Sequence, residues 1–143
     1  MNTVTTMLLS LILLIGALGA NADSMPYTEG DVWQVSMIRT DANRTDDYLK
    51  QLKATFDTWM QAAKKQGLVE DYMILLGESA NSSDFDLMIM VRQKNWAGRD
   101  RTKEWYDMGD KLFSEDEMLN SAKEYEKVRE FLGSKWMRQI KLK

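Results

Sequence analysis

The chain has 143 residues, of which 44% are hydrophobic and 29% are charged, a balance typical of one globular domain. Its formal net charge is −3, so a phosphate-binding surface would work against the overall charge, and we expect no nucleic-acid partner. The sequence contains neither cysteine nor histidine. Their absence excludes disulfides, thiolate nucleophiles and histidine-ligated metal or haem, and we predict neither a metal site nor a cofactor.

The first segment, residues 1–22, has the features of a secretory signal peptide. A mostly apolar run extends from Met7 to Ala20, and Ala20 and Ala22 provide the small-residue spacing of a cleavage site. The run is shorter than the roughly 20 residues that span a bilayer, which argues against an uncleaved membrane anchor. We therefore predict export, to a periplasm or out of the cell. The mature protein should begin near Asp23 and should not stay inserted in the membrane.

The rest of the chain divides into a polar lead-in, residues 23–30, and one domain, residues 31–143. The first predicted strand covers residues 31–40, where apolar and polar side chains alternate, so one of its faces should be buried. Thr45 is a plausible N-cap for the first helix, in which leucines and aromatic residues recur at helical spacing. Gly67 is expected to end this helix.

A predicted hairpin over residues 69–92 forms the centre of the domain. Two short apolar runs are separated by the turn-forming residues 79–84. Side chains alternate along a strand, and in the second run this separates two apolar sets. One set is Phe85, Leu87, Ile89 and Val91, and the other is Met88 and Met90. A sheet built around this hairpin therefore needs cover on both sides.

In the last part of the chain, the sequence predicts a helical segment, the second principal helix and a strand. A polar linker leads to a helical segment over residues 102–113. Ser114 and Glu117 have the spacing of a capping box, which begins a helix that we predict to stop at Gly133. Over residues 135–143, Trp136, Arg138, Ile140 and Leu142 alternate with Met137, Gln139 and Lys141. The segment also carries lysines, as is typical of a strand at a sheet edge.

The predicted order is strand, helix, strand, strand, helix, strand, which indicates an α+β fold. We predict a ferredoxin-like split βαβ arrangement, with a four-stranded antiparallel sheet and the helices on one face. This order, the two-sided apolar hairpin, Trp96 after the third strand and the ending REFLGSKWMRQIKLK (129–143) resemble the dimeric α+β-barrel superfamily. That superfamily includes antibiotic-biosynthesis monooxygenases and small ligand-binding proteins. The resemblance covers about residues 31–143.

The resemblance implies a homodimer, in which the bare sheet face of one subunit packs on that of another. The residues favour the same partner, since Met88 and Met90 should face away from the helices, beside either Met73 and Leu75 or the residues that alternate with them. Burying one methionine is worth roughly 1.5 to 3 kcal/mol, and an exposed patch of this kind is normally an interface. The alternative is that residues 94–113 fold across this face within one chain.

Aromatic side chains and two arginines near strand ends are the candidates for ligand binding, because large flat side chains around a cavity bind aromatic or quinone-like molecules. The candidates are Trp33, Arg39, Trp59, Tyr72, Arg92, Trp96, Trp105 and Tyr106. The alternative for Trp33, Trp59 and Tyr72 is that they fill the core. The segment that contains Trp96 should cap the open end of the sheet, which predicts that Trp96 and Trp105 lie closer to a cavity than Trp136.

Two functions of different classes are compatible with the sequence. The first is a small exported protein that binds an aromatic or apolar ligand without catalysis. The second, which the resemblance implies, is a cofactor-independent monooxygenase-like enzyme acting on an aromatic or quinol-type substrate. The sequence leaves open whether the protein is an enzyme and assigns no catalytic residue, since a serine triad would lack its histidine.

Overall fold

The structure is a computed structural model that describes residues 25–143, so the predicted signal peptide and its cleavage site lie outside the described residues. The strands are β1 (Tyr27–Thr40), β2 (Asp71–Leu76), β3 (Leu87–Gln93) and β4 (Arg129–Leu142). The α-helices are α1 (Thr45–Leu52), α2 (Thr58–Lys65), α3 (Thr102–Leu112) and α4 (Glu115–Glu126). A π-helical turn (Lys53–Asp57) joins α1 to α2, and a 3₁₀ turn (Trp96–Asp100) precedes α3. Across residues 25–143 every helix is too short or too polar to cross a bilayer.

The four strands form one antiparallel sheet in the order β2-β3-β1-β4. The helices that follow β1 and β3 pack on the same face of this sheet. This arrangement is the ferredoxin-like split βαβ fold, and the predicted fold class is confirmed. The prediction that the last strand lies at a sheet edge is confirmed as well.

The core lies between the helices and one face of the sheet. Leu87, Ile89 and Val91 of β3 are at most 8% exposed and point towards the helices. Leu87 and Ile89 pack with Tyr48 of α1, whereas Val91 packs with Met60 of α2. The predicted alternation along this strand is therefore correct, and it decides on which side the helices pack.

The predicted helix between Thr45 and Gly67 is interrupted by the π-helical turn. The Thr55 hydroxyl donates to the carbonyl of Gln51 at 2.9 Å, a bond that competes with the regular helical pattern. Gly67 has a φ of 64°, which suits a glycine at a helix C-terminus, so the predicted stop is confirmed. Short π-helical segments within α-helices occur frequently at functional sites.

Two predicted boundaries near the sheet edge are wrong. β1 begins at Tyr27, within the predicted lead-in, because its first residues pair with the end of β4. β4 begins at Arg129, and Gly133 is a strand residue rather than a helix stop. Gly133 has a φ of 148° and lies opposite Met37 at a register shift between the two strands. A glycine at such a bulge gives the same sequence signal as a glycine after a helix.

The second face of the sheet, which we call the open face, carries no helix. Met88 and Met90 of β3 lie opposite Leu75 and Met73 of β2, as predicted. The apolar residues of the open face are Trp33, Val35 and Met37 of β1, Met73 and Leu75 of β2, Met88 and Met90 of β3, and Met137 of β4, and charged residues such as Arg92 and Lys135 pair on the same face. Met73, Leu75 and Met137 are between 39% and 51% exposed. The open face is thus apolar and accessible in one chain.

The prediction that residues 94–113 could cover the open face is wrong for the described chain. Met108 of α3 is buried in the same cluster as Val91, on the helical side of the sheet. Gly109 lies against the ring of Trp59 in α2. This segment follows the apolar surface of α2, so it extends the helical layer and leaves the open face bare.

Candidate ligand-binding site

A cavity of about 640 Å³ lies between the helices and the helical face of the sheet. This volume is within the range of small-molecule sites in proteins, which is roughly 300 to 1,000 Å³. The lining is mostly apolar and includes many aromatic rings. They are Tyr48, Phe56, Trp59, Trp105, Phe113, Tyr125, Phe131 and Trp136. All of these lining residues belong to the described part of one chain.

The floor of the cavity is made by short and polar side chains in the middle of β1. Gln34 and Ser36 point towards the helices, where a strand under a packed helix would normally carry large apolar residues. The Ser36 and Ser134 hydroxyls are 3.1 Å apart, and Gln34 donates to Ser134 at 3.4 Å. Because these side chains bond along the sheet surface, they leave the space above it unfilled.

The helical wall depends on the π-helical turn and on Tyr125 of α4. Thr55 and Phe56 of the turn line the cavity, and the hydroxyls of Thr55 and Tyr125 are hydrogen-bonded. The Tyr125 hydroxyl also lies 3.3 Å from the carbonyl oxygen of Gln51, and its ring packs edge-on against Tyr48, with ring centroids 5.5 Å apart. No residue of α4 is fully buried, so the contacts of Tyr125 largely decide where this helix lies.

Arg129, the first residue of β4, lies at one end of the cavity among aromatic rings. Its guanidinium carbon is 5.4 Å, 5.0 Å and 5.7 Å from the ring centroids of Tyr48, Tyr125 and Phe131. These distances are those of cation–π contacts. Its Nε atom is buried and has no hydrogen-bond partner among residues 25–143.

Arg99 and Trp136 form the other end of the cavity. The guanidinium carbon of Arg99 is 5.1 Å from the ring centroid of Trp136 and 5.9 Å from that of Trp96. Trp136 pairs with Gln34, whereas Arg129 pairs with Thr40 farther along β1. At about 3.3 Å per residue, the two ends are separated by roughly 20 Å of strand.

The titratable side chains of the lining are held in defined protonation states. Burial raises the pKa of Tyr48 to about 12 and also raises the pKa of Tyr125, although the charge of Arg129 opposes both shifts. Both phenols are therefore neutral hydrogen-bond donors at pH 7. Hydrogen bonds from Ser114, first from its backbone N–H, lower the pKa of Glu117. Glu117 is thus the ionised partner in the predicted capping box, which is confirmed.

Several polar atoms of the lining lack a partner. Residues 25–143 contain five buried side-chain nitrogen or oxygen atoms without a hydrogen bond, and three of them belong to cavity-lining residues. These are Trp59 Nε1, Gln93 Oε1 and Arg129 Nε. A buried polar atom without a partner costs about 1 to 3 kcal/mol. Their concentration around one cavity is what a site for a polar-headed ligand requires.

Among the predicted site residues, Trp59 and Trp105 line the cavity, and their part in binding stays a prediction. Trp33, Arg39 and Arg92 do not line it. Successive side chains of a strand alternate, and the register places these three with the open face. Arg92 pairs with Asp31 at 3.0 Å, and Arg39 forms an ion pair with Glu130.

The remaining candidates lie at the periphery. Tyr72 packs edge-on against Phe56, with ring centroids 5.8 Å apart, and its hydroxyl bonds to Asp57 outside the cavity. Tyr106 is 70% exposed. Trp96 stacks on Trp136 at 6.1 Å without lining the cavity itself.

The predicted order of the tryptophans is therefore wrong for Trp96 and Trp136. Trp136 lines the cavity because its register with Gln34 turns it towards the helices. Sequence reasoning also missed Tyr48, Tyr125 and Arg129. Arg129 fell within a predicted helix, so nothing in the sequence indicated that it would end up among aromatic rings.

The sequence matches no protein-family profile and no curated protein. Two solved structures are similar in shape. One is a dimeric ferredoxin-like protein from an uncultured marine organism, with 13% identity, a TM-score of 0.45, and coverage of 81% of this chain and 90% of that one. The other is a dimeric ferredoxin-like protein of unknown function from Thermobifida fusca YX, with 8% identity, a TM-score of 0.37, and coverage of 79% and 92%. The fold assignment rests on the strand order and helix placement of this chain.

Proposed function

We propose that the protein binds a small aromatic or otherwise apolar molecule in the cavity between sheet and helices, and that it does so without catalysis. The observation that carries this proposal is the cavity itself. Its volume of about 640 Å³ is bounded by aromatic rings, and three buried polar atoms around it have no partner in the described chain. Cavities with these properties are the usual sites of small ligands.

The protonation states of the lining favour binding over the monooxygenase-like alternative. A cofactor-independent monooxygenase needs a group that takes a proton from its substrate. Tyr48 and Tyr125 have raised pKa values and stay protonated at neutral pH. Glu117 is the lining carboxylate of the described chain, and it is engaged with Ser114 at the start of α4. These groups can orient a ligand but are poorly suited to accept its proton.

Tryptophan fluorescence tests this proposal directly. A titration with 1-naphthalenemethanol should quench the emission saturably, because Trp59 and Trp105 line the cavity. The Trp59→Phe and Trp105→Phe variants should lose part of this quenching, whereas Trp33→Phe, a change on the open face, should keep it. A wild-type protein that binds no member of a panel of aromatic alcohols, phenols and acids would refute the proposal. Oxygen uptake with a quinol substrate would instead support the enzymatic alternative.

We also propose that two copies associate through the open face. The support is physical: Met73, Leu75 and Met137 are substantially exposed, and the first two lie opposite the methionines of β3 whereas Met137 lies opposite Trp33 of β1. A patch of this kind on one chain is normally covered by a second surface, and a two-fold pairing of identical patches is the commonest solution. The cavity lies on the opposite side of the sheet, so ligand binding and association would use separate surfaces.

Export is proposed from residues 1–22 alone. The apolar run and the Ala20 and Ala22 pair support cleavage before Asp23. Amino-terminal sequencing of protein recovered from its native periplasm or medium should therefore begin at or near Asp23. An intact Met1 on the exported protein would contradict this proposal.

A further inference from the structure

We infer that the ligand carries a negative charge, a carboxylate or a phenolate, and that the guanidinium of Arg129 binds this charge at one end of the cavity. The inference rests on the proposed function and adds the chemical class of the ligand. An aromatic carboxylate combines the two required properties. Its ring would occupy the apolar part of the cavity near Trp59 and Trp105, and its anionic group would contact Arg129.

The arginines of residues 25–143 differ in whether they form an ion pair within the chain. Arg39, Arg44, Arg92, Arg101 and Arg138 each form an ion pair with an aspartate or a glutamate. The two arginines outside these pairs are Arg99 and Arg129, and these are the two that line the cavity. Both arginines without an ion pair in the described chain are therefore placed where an anion inside the cavity could reach them.

The carboxylates of Glu130 and Asp86, two acidic residues near Arg129 in the fold, have other partners. Glu130 is adjacent in sequence, but the alternation of β4 turns it away from the cavity, where it pairs with Arg39. Asp86 accepts a hydrogen bond from the Thr40 backbone N–H at 2.9 Å and another from the Thr40 hydroxyl. Both carboxylates are therefore bound elsewhere, although Glu130 is the sequence neighbour of Arg129 and Asp86 is bonded to Thr40, the residue that pairs with Arg129 in the sheet.

The guanidinium of Arg129 is surrounded by aromatic rings. Aromatic ring faces attract a cation, but they do not satisfy the N–H donors that a guanidinium directs outwards in its plane. The rings of Tyr48, Tyr125 and Phe131 approach Arg129, and its Nε stays buried without an acceptor. Arg129 is half-buried, so its buried Nε gains an acceptor when a ligand binds, and an oxyanion that accepts two of its N–H groups forms a strong charge-assisted pair.

Arg99 is the competing candidate at the other end of the cavity. Arg99 is exposed, so water satisfies its donors, and it stacks on Trp96 and Trp136 at the surface. Replacing water around an exposed arginine contributes little to affinity. Arg129 is less exposed and has an unsatisfied donor, so it has more to gain from an anionic ligand.

A matched pair of probes tests the inference. 1-Naphthoate and 1-naphthalenemethanol have the same ring system and differ in charge, and isothermal titration calorimetry gives the dissociation constant of each with the full mature chain. Wild-type protein should bind naphthoate at least about tenfold more tightly, as expected for a hydrogen bond to a charged group. Arg129→Met should abolish this preference and leave the affinity for the alcohol within about twofold.

The control variants separate Arg129 from the rest of the site. Arg99→Met should keep most of the preference for naphthoate, and Arg129→Lys should keep part of it because the charge remains. If Arg129→Met does not fold, Arg129→Gln provides the neutral variant. The preference of the wild type is informative without any variant.

Three other results of these titrations would each refute one or both of the proposals. Equal affinity of the wild type for the two probes would refute the anionic ligand and leave the proposed function standing. No binding of either probe, or of any other aromatic acid or alcohol, would refute both. Loss of the preference in Arg99→Met but not in Arg129→Met would refute the assignment to Arg129.

Discussion

The two faces of the sheet use the same strands in opposite ways. On the helical face, β1 presents Gln34 and Ser36 below a cavity of about 640 Å³. On the open face, the same strand presents Val35 and Met37, which lie opposite Met90 and Met88 without a helix above them. Val32 and Ile38, nearer the ends of the helical face, are buried and apolar, so only the middle of β1 is more apolar on the open face. The polar middle of the strand borders the cavity, and the apolar residues between these polar positions face away from the helices.

The charges on the two faces differ as well. On the open face, Arg92 pairs with Asp31 and Arg39 pairs with Glu130, so these arginines are already neutralised within one chain. On the cavity side, Arg129 has no such pair among the described residues and contacts aromatic rings instead. The open face therefore offers apolar area beside two paired arginines and the exposed Lys135, whereas the cavity side has an arginine without an ion pair in the described chain.

The largest effect is expected from charges on the open face. Met88→Asp together with Met90→Asp should convert a dimer into a monomer, because the change removes two apolar contacts and leaves carboxylates in the interface. The loss of two methionine contacts alone corresponds to about 3 to 6 kcal/mol, or roughly two to four orders of magnitude in the dimer dissociation constant. Sedimentation equilibrium of the mature protein measures this change.

A methionine on the other side of the molecule provides the control. Met118 lies on α4 at the cavity and is 39% exposed. Met118→Asp should leave the dimer intact. A wild-type protein that sediments as a monomer at micromolar concentration, or a double variant that stays dimeric, would show that the open face is not the interface.

The next largest effect is a loss of ligand affinity when the cavity is filled. Ser36→Phe places a phenyl ring where Ser36 now leaves space, so the affinity for an aromatic probe should fall by about tenfold or more. The dimer should persist, because neighbouring residues on a strand face opposite sides. Calorimetry with 1-naphthoate and sedimentation of the same sample measure both properties.

A phenylalanine introduced elsewhere should have neither consequence. Ser83→Phe adds the same ring in the exposed turn between β2 and β3 and serves as the control. If Ser36→Phe binds the probe as well as the wild type does, the ligand does not occupy the space above β1. If it unfolds, the cavity is smaller than the structure indicates.

The fold was predictable because its signals are local and repeated. The alternation of Leu87 and Ile89 with Met88 and Met90 gave the orientation of β3, and Ser114 and Glu117 gave the start of α4. Gly133 was misinterpreted, because a glycine with a positive φ ends helices and also occupies strand bulges.

The site was predictable only in part, because it depends on register between distant strands. The sequence suggested Trp33 as a pocket residue and placed Trp136 farther from a cavity, and the structure shows the reverse. Pairing places Trp136 on the same face as Gln34, beside the cavity, and Trp33 on the other face. A shift of one residue would exchange the two faces, and no local pattern reports such a shift. Arg129 was not predictable for the same reason.

Alkaline pH is expected to have a smaller effect, on the free energy of unfolding. This effect reports on the buried phenol of Tyr48 at the cavity. Burial raises the pKa of Tyr48 from 10.0 to about 12 in the folded protein. The stabilisation from this residue is therefore complete below pH 10 and is lost as the pH rises through 12. Tyr72 has a pKa of about 12 as well, from burial and its bond to Asp57, and adds to the loss.

Chemical denaturation between pH 8 and about pH 12 measures this dependence. Tyr48→Phe should lose less free energy of unfolding over this interval than the wild type does. Tyr72→Phe is the matched comparison outside the cavity. An unchanged pH slope in Tyr48→Phe would mean that the Tyr48 hydroxyl is solvated, and the end of the cavity near Arg129 would then be wet.

The smallest effect on the free energy of unfolding is expected from a substitution at Gly109, where helix propensity and a close contact with Trp59 act in opposite directions. Replacing glycine by alanine within a helix gains up to about 1 kcal/mol. The new methyl group would lie 3.1 Å from Cη2 and 3.2 Å from Cζ2 of Trp59, closer than ordinary contact. Trp59 borders the cavity, and its Nε1 has no hydrogen bond to lose, so the ring can move. We expect Gly109→Ala to raise the free energy of unfolding by less than about 1 kcal/mol.

The same movement narrows the cavity, so the affinity for 1-naphthalenemethanol should fall by about two- to fivefold. Asp110→Ala, at the next and exposed position of α3, changes helix propensity without touching Trp59 and should leave binding unchanged. A loss of more than about 1 kcal/mol in Gly109→Ala would mean that Trp59 is fixed in place and does not border free space. The helical face would then be packed like an ordinary core, and its difference from the open face would lie only in the presence of helices.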